Sequence, residues 1–139
     1  MSVRHTRAHF MRAALEGVAF ALRSILEVYR ETRRIDSMRI IGGGAKSALW
    51  KDIIASAGRI RLDTLDVAAE DATSLGVAMA AGVSVGMFAD LNEASAQIRV
   101  SDTCKPGSDV AAYDAAFGIY RELYPRTNDL FARMAVNRG

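Results

Sequence analysis

Disulfides, long apolar runs and a strong charge of either sign are all missing from this 139-residue sequence. Cys104 is the only cysteine, so neither an intrachain disulfide nor a cysteine-based zinc site can form, and a reducing, cytoplasmic setting is the expectation. The longest uncharged apolar stretch, residues 75–89, is interrupted by Gly76, Gly82, Ser84 and Gly86 and falls short of the ~20 residues a membrane span requires. The amino terminus carries charges and histidines where a signal peptide would have an apolar core. Eighteen basic against 16 acidic residues leave a formal charge of +2, too little to hold a polyanion. No aromatic residues alternate with the densest basic cluster, Arg30, Arg33 and Arg34, to stack bases. Neither nucleic acid nor membrane is therefore an expected partner, and the cluster is read as cations facing the negative end of a helix.

Half of the residues are hydrophobic and 24% are charged, a balance that supports one ordered domain with an ordinary core. Residues 9–32 carry Phe10, Ala14, Val18, Ala21, Leu22, Ile25 and Tyr29 at helical spacing, an apolar stripe of the kind that faces a core. Gly17 inside that helix suggests a close backbone approach. Residues 38–41 read as a short buried strand running into Gly42, Gly43 and Gly44. Ser47 is a plausible N-cap for a helix that carries Trp50 into the core and closes near Gly58. Residues 60–65 alternate as a second strand with one polar face.

Asp71, beside Glu70 and Thr73, should cap a helix whose small residues imply tight packing on both sides. A short helix over 91–97, an extended stretch ending near Pro106 and Gly107, and a helix from Asp109 follow. Pro125 predicts a kink or break in that last helix, which continues to about Ala135. Strands alternating with helices favour an α/β layer fold with parallel pairing. Two good strands make a poor sheet alone, which suggests a piece of something larger.

The segment with the most chemical promise is MRIIGGGAKSALW, residues 38–50: a strand, three glycines and a capped helix. Glycines admit a ligand close to the main chain, and helix-terminal amides favour anions. The same turn can also serve only to pack a helix tightly on a sheet. A Walker A loop would need glycine before Lys46 and Ser47, where Ala45 stands; a dinucleotide fingerprint from Gly42 would need glycine or alanine at Ser47. Lys46 at a helix start points more readily to solvent than to phosphate. His5 and His9 share a helix face without a third ligand nearby, and no metal site is expected there.

RAALEGVAFALR (12–23), IIGGGAKSALWKDIIA (40–55), DATSLGVAMAAGVSVGMF (71–88) and YRELYPRTNDLF (120–131) follow one another at spacings that resemble FGGY carbohydrate kinases, notably those of xylulokinase type. The resemblance covers almost the whole chain. It implies a partial actin-like, ribonuclease H-like ATPase domain, α/β and helix-rich with few strands, in which residues 1–139 form the later part of the C-terminal, nucleotide-binding domain. The sugar-binding lobe and the catalytic aspartate would lie outside this chain. By the same resemblance, ATP, carried with Mg²⁺, rests its adenosine against Gly43, Gly44 and Ala45, with Ser47 and Ala48 next to it. Some relatives have asparagine where Ala48 stands, so adenine selection would depend on backbone and shape. Glu16 and Gly17 are read as packing. The implied reaction is phosphorylation of a ketopentose such as D-xylulose, with glycerol, gluconate or ribulose as other substrates of the family. A noncatalytic interaction module is the competing class. Alone, the chain is expected to lack turnover and to self-associate as a dimer.

Overall fold

The computed structural model describes residues 5–68 and 70–136. Its elements are α1 (Arg7–Arg30), β1 (Ser37–Ile40), a single 3₁₀ turn (Gly43–Lys46), α2 (Ala48–Gly58), β2 (Arg61–Leu65), α3 (Ala72–Ser84), α4 (Leu91–Ala96), β3 (Val100–Cys104) and α5 (Val110–Val136). The sheet runs β1-β2-β3, with β1 and β2 parallel and β3 antiparallel to β2. Parallel pairing of the first two strands agrees with the alternation of strand and helix. The extended stretch before Pro106 supplies the third strand, which sequence periodicity had not marked because all but its last residue are exposed.

The core is built around α2. Ile53, Ala55 and Ala57 have no exposure, and Ala19, Phe20 and Leu26 of α1, Leu62 of β2, and Tyr113 and Phe117 of α5 close around them. Apolar residues all round α2 suit a helix enclosed on several sides. Phe20 gathers Tyr113, Phe117 and Tyr120 with ring centroids 5.4–6.1 Å apart, a cluster of edge-on and tilted contacts.

Two arginines of α1 lock the end of α2. Arg23, almost fully buried, donates through Nη1 to the Ala57 carbonyl at 3.0 Å and to Asp114 Oδ1 at 2.7 Å. Its Nε binds Glu27, and its guanidinium lies 4.2 Å over the Phe117 ring. Arg30 donates to the carbonyls of Gly58 at 3.0 Å and Arg59 at 3.2 Å. The basic cluster thus does more than face its own helix dipole: Arg30 satisfies carbonyls at the C-terminus of a different helix. Glu16 accepts from Arg12 Nε on its own helix, as a local reading expects, and also from the Tyr113 hydroxyl of α5, 97 positions away.

Several expectations are corrected. The stripe read on α1 is its open side: Phe10, Val18, Leu22, Ile25 and Tyr29 are exposed, while Ala19, Phe20, Arg23 and Leu26 face the core. This helix has apolar residues on two faces, and contact with α2 selects the other one. Nothing approaches a Cβ position at Gly17 within 4 Å. β1 is partly exposed rather than buried, because as an edge strand it has only one neighbour. β2 does not present a clean polar face, since Asp63 is buried and held by Arg61 and Thr103. Asp71 occupies the N-cap position of α3 without a side-chain hydrogen bond, and α3 buries only Gly82, far from packing on both sides. Trp50 is partly buried at the border of the core. Helix α5 continues past Pro125 to Val136, as expected, without the break that was one of the two effects expected of the proline.

Candidate functional site

β1 and β2 are parallel, so their carboxyl ends lie side by side, the place where open α/β sheets collect ligands. The glycine turn leaves the end of β1, and residues 66–68 leave the end of β2. Between them lies an open notch of about 220 Å³ lined by Ile41, Gly42, Ala45, Lys46, Thr64, Leu65, Val67, Ala68 and Glu70. Pockets that enclose a whole small ligand run to roughly 300–1,000 Å³, so this notch offers one wall of a site. Sequence reasoning found the glycine wall and missed the β2 wall. Strand pairing alone brings Thr64 and Leu65 beside the turn, and the sole sequence signal for it was the parallel alternation itself.

Gly42 carries the turn with φ of +84°, a left-handed backbone that disfavours side chains. The next residues wind into the 3₁₀ turn, where the Ala45 amide donates to the Gly42 carbonyl at 3.1 Å and the Ser47 amide to the Gly44 carbonyl at 3.3 Å. Gly43 is exposed, with nothing within 4 Å of a Cβ built on it. Gly44 is half-buried because the Trp50 side chain lies under it. Ala45 lines the notch, and Lys46 stands exposed at its rim.

Ser47 is the N-cap of α2, its Oγ accepting from the Trp50 amide at 3.2 Å. The Ser47 amide itself donates to the Gly44 carbonyl, so of the terminal amides at this helix start those of Ser47 and Trp50 are satisfied internally. Ala48 begins α2 and is exposed. Gly43, Ser47 and Ala48 are exposed, Gly44 and Ala45 are half-buried, and of these five Ala45 lines the notch.

On the other side of α2, Lys51 reaches across the sheet to Asp102 on β3 and to Thr64. The ammonium holds the Asp102 carboxyl below the ordinary carboxylate range. Lys51 thereby ties the first turns of α2 to β3 through Asp102 and to Thr64 near the end of β2. Asp63 is also depressed: burial pushes it up, and the hydrogen bonds from Arg61 and Thr103, with the charges of Arg61 and Arg39, outweigh that. His9 Nδ1 pairs with Thr6 in the capping box of α1. Among the described residues no group of three or more His, Cys, Asp or Glu could hold a metal ion. No described helix is long and apolar enough to cross a membrane.

Residues 1–85 match the model of the FGGY family of carbohydrate kinases, C-terminal domain. The chain is 34% identical over 129 residues to a xylulose kinase of Bacillus subtilis, covering 91% of this chain and 26% of that protein. It is 30% identical over 135 residues to an L-xylulose/3-keto-L-gulonate kinase of Escherichia coli, covering 96% and 26%. Among solved structures, the xylulose kinase from Rhodospirillum rubrum superposes with a TM-score of 0.80 at 25% identity, over 95% of this chain and 27% of that one. The chain spans about a quarter of the length of these relatives. The fold is accordingly a helix-rich α/β portion of the actin-like ATPase architecture.

Proposed function

Since the chain belongs to the FGGY family of carbohydrate kinases, we propose that residues 1–139 form the later part of a C-terminal, nucleotide-binding domain of an ATP-dependent sugar kinase. The substrate we assign is a ketopentose, D-xylulose, giving D-xylulose 5-phosphate. The observation that carries the nucleotide assignment is the open backbone of Gly43 at the carboxyl edge of two parallel strands, with the open notch beside it. A flat purine nucleoside fits against such a main-chain surface, and a second wall from elsewhere in the enzyme would close it.

In this reading Gly43, Gly44 and Ala45 admit adenosine close to the backbone. Ser47 holds the start of α2 in place, and Ala48, which has no side chain to hydrogen-bond the base, leaves adenine selection to backbone and shape. No residue of this chain is assigned to the Mg²⁺ that accompanies ATP. The sugar hydroxyl attacks the γ-phosphoryl group, ADP leaves, and the hydroxyl proton passes to a base outside residues 1–139. Names of the relatives support a xylulose-type sugar, and the 3-keto-L-gulonate kinase among them supports a related keto sugar as the second reading. A cytoplasmic location fits the single cysteine.

Sugar-dependent ADP release by the protein from the complete gene tests the activity, with D-xylulose expected to exceed glycerol, gluconate and ribulose. Calorimetry on the 139-residue chain tests the site separately. Binding of ATP and ADP in preference to NAD supports it, and NAD binding in their place overturns it. The chain alone is expected to show no turnover.

A further inference from the structure

On the β2 side of the notch, Thr64 and Asp102 of β3 are direct cross-strand partners, so their side chains leave the sheet on the same face. The buried Lys51 of α2 stands over that face and donates from one ammonium to both, to Asp102 Oδ2 and to Thr64 Oγ1 at 3.5 Å. Strand pairing slips immediately beyond, between Thr64 and Leu65, which leaves Ser101 as an extra residue on β3. The Ser101 hydroxyl donates to the Thr64 carbonyl at 3.2 Å. Irregularities of this kind occur beside ligand sites, where they re-aim a side chain or end the pairing.

The chemistry of these groups fixes the sense of each hydrogen bond. An ammonium only donates, so Thr64 Oγ1 accepts from Lys51 and its own hydrogen must point elsewhere. Among the described residues that hydrogen meets no acceptor, and Thr64 lines the notch. Ile41, Leu65, Val67 and Ala68 make the notch largely apolar, a surface that suits a flat heterocycle better than a phosphate chain. The Asp102 carboxyl, held below the ordinary range by Lys51, stays ionised at neutral pH and keeps the ammonium in place. We propose that the Thr64 hydroxyl donates to a ring nitrogen of the adenine, and that Lys51 is the positioning residue that frees this donor for the base. The assignment rests on the nucleotide reading of the notch and adds one side-chain donor to a site otherwise read by backbone and shape.

Calorimetry of ADP with the protein from the complete gene tests it. Thr64→Val keeps the branched shape and should weaken ADP roughly 3- to 10-fold, the effect of one lost hydrogen bond. Thr64→Ser keeps the hydroxyl and should restore affinity to within about 2-fold. Among deaza analogues of ADP, each lacking one accepting ring nitrogen, one should bind the unsubstituted protein as weakly as ADP binds Thr64→Val, with no further loss in that variant. Lys51→Met should weaken ADP about 2- to 5-fold and add nothing when combined with Thr64→Val, a coupling that a purely structural lysine would not show. Undiminished affinity in Thr64→Val overturns the proposal, as does a deaza series in which every analogue matches ADP on the unsubstituted protein. Additive loss in the double variant removes the positioning role of Lys51. Gly43→Val separates this proposal from the reading beneath it. If it weakens ADP while Thr64→Val does not, the donor at Thr64 alone falls; if neither does, the nucleotide reading of the notch falls with it.

Discussion

Gly44 lies so close to Trp50 that a Cβ built on it would come within 3.0 Å of the indole Cδ1 and 3.1 Å of Nε1. Gly43, one residue earlier, has open space in the same place. The two glycines therefore have separable duties: one allows the indole to pack, and the other leaves the surface clear.

This separation gives the first prediction. Gly44→Val should destabilise the chain by about 1–3 kcal/mol through overpacking and shift the fluorescence of the sole tryptophan. Gly43→Val should change stability by less than about 1 kcal/mol and leave the emission unaltered, while weakening ATP and ADP in calorimetry. Unchanged nucleotide affinity in Gly43→Val would remove the glycine turn from the site. Weakened affinity in Gly44→Val alone would report on Trp50.

Arg23 connects α1, α2 and α5 through Glu27, the Ala57 carbonyl and Asp114. Arg23→Met should cost about 2–4 kcal/mol in urea unfolding, since it leaves the buried Ala57 carbonyl unmatched and Asp114 with only its long contact to Arg59. Arg23→Lys should recover little of this, because a point charge cannot reproduce the planar fork. Full stability in Arg23→Met would show the clamp to be energetically idle.

The two ends of α2 respond in opposite directions. Ser47→Ala removes the bond to the Trp50 amide and should cost about 1 kcal/mol. Arg59 closes the helix with φ of +51°, the single non-glycine residue with positive φ among those described. Arg59→Gly should therefore stabilise by up to about 1 kcal/mol, its carbonyl still available to Arg30. Thermal unfolding of both variants checks the pair, and a loss in Arg59→Gly would mean that its long contact to Asp114 outweighs the relieved backbone.

Asp63 and Asp102 predict acid sensitivity. Both carboxyls are held below their ordinary range in the folded chain, so the unfolded chain binds protons first as pH falls. Their contribution to stability is complete above the unfolded carboxylate value near ~4 and is lost as pH drops through the lower folded values. Urea midpoints should stay level from neutral pH to about 5 and fall below about 4. Asp63→Asn should flatten that fall. An unchanged acid slope in Asp63→Asn would remove its ion pair with Arg61 as a source.

The candidate site illustrates how much can be read locally. Gly42, Gly43 and Gly44 followed by a serine cap are neighbours in sequence, and their turn forms from backbone preferences that need no distant contact. The opposite wall, of Thr64, Leu65, Val67, Ala68 and Glu70, becomes part of the notch only when β2 pairs with β1. Asp71 shows the converse failure: it stands at the expected N-cap position of α3, yet its αR backbone leaves the side chain without its usual bond.

The order of the helices and of the first two strands, the cap at Ser47, the parallel pairing of those strands and the family were all written in the chain, because capping, periodicity and turn chemistry act over a few residues. Which side of α1 turns inward was not, since Phe10, Leu22 and Ile25 on one face compete with Ala19, Phe20 and Leu26 on the other. Only docking on α2 chose between them. The same holds for Arg30, whose partners stand 28 and 29 positions away. Burial and hydrogen bonding between distant segments are decided by the whole packing arrangement, and no local pattern encodes it.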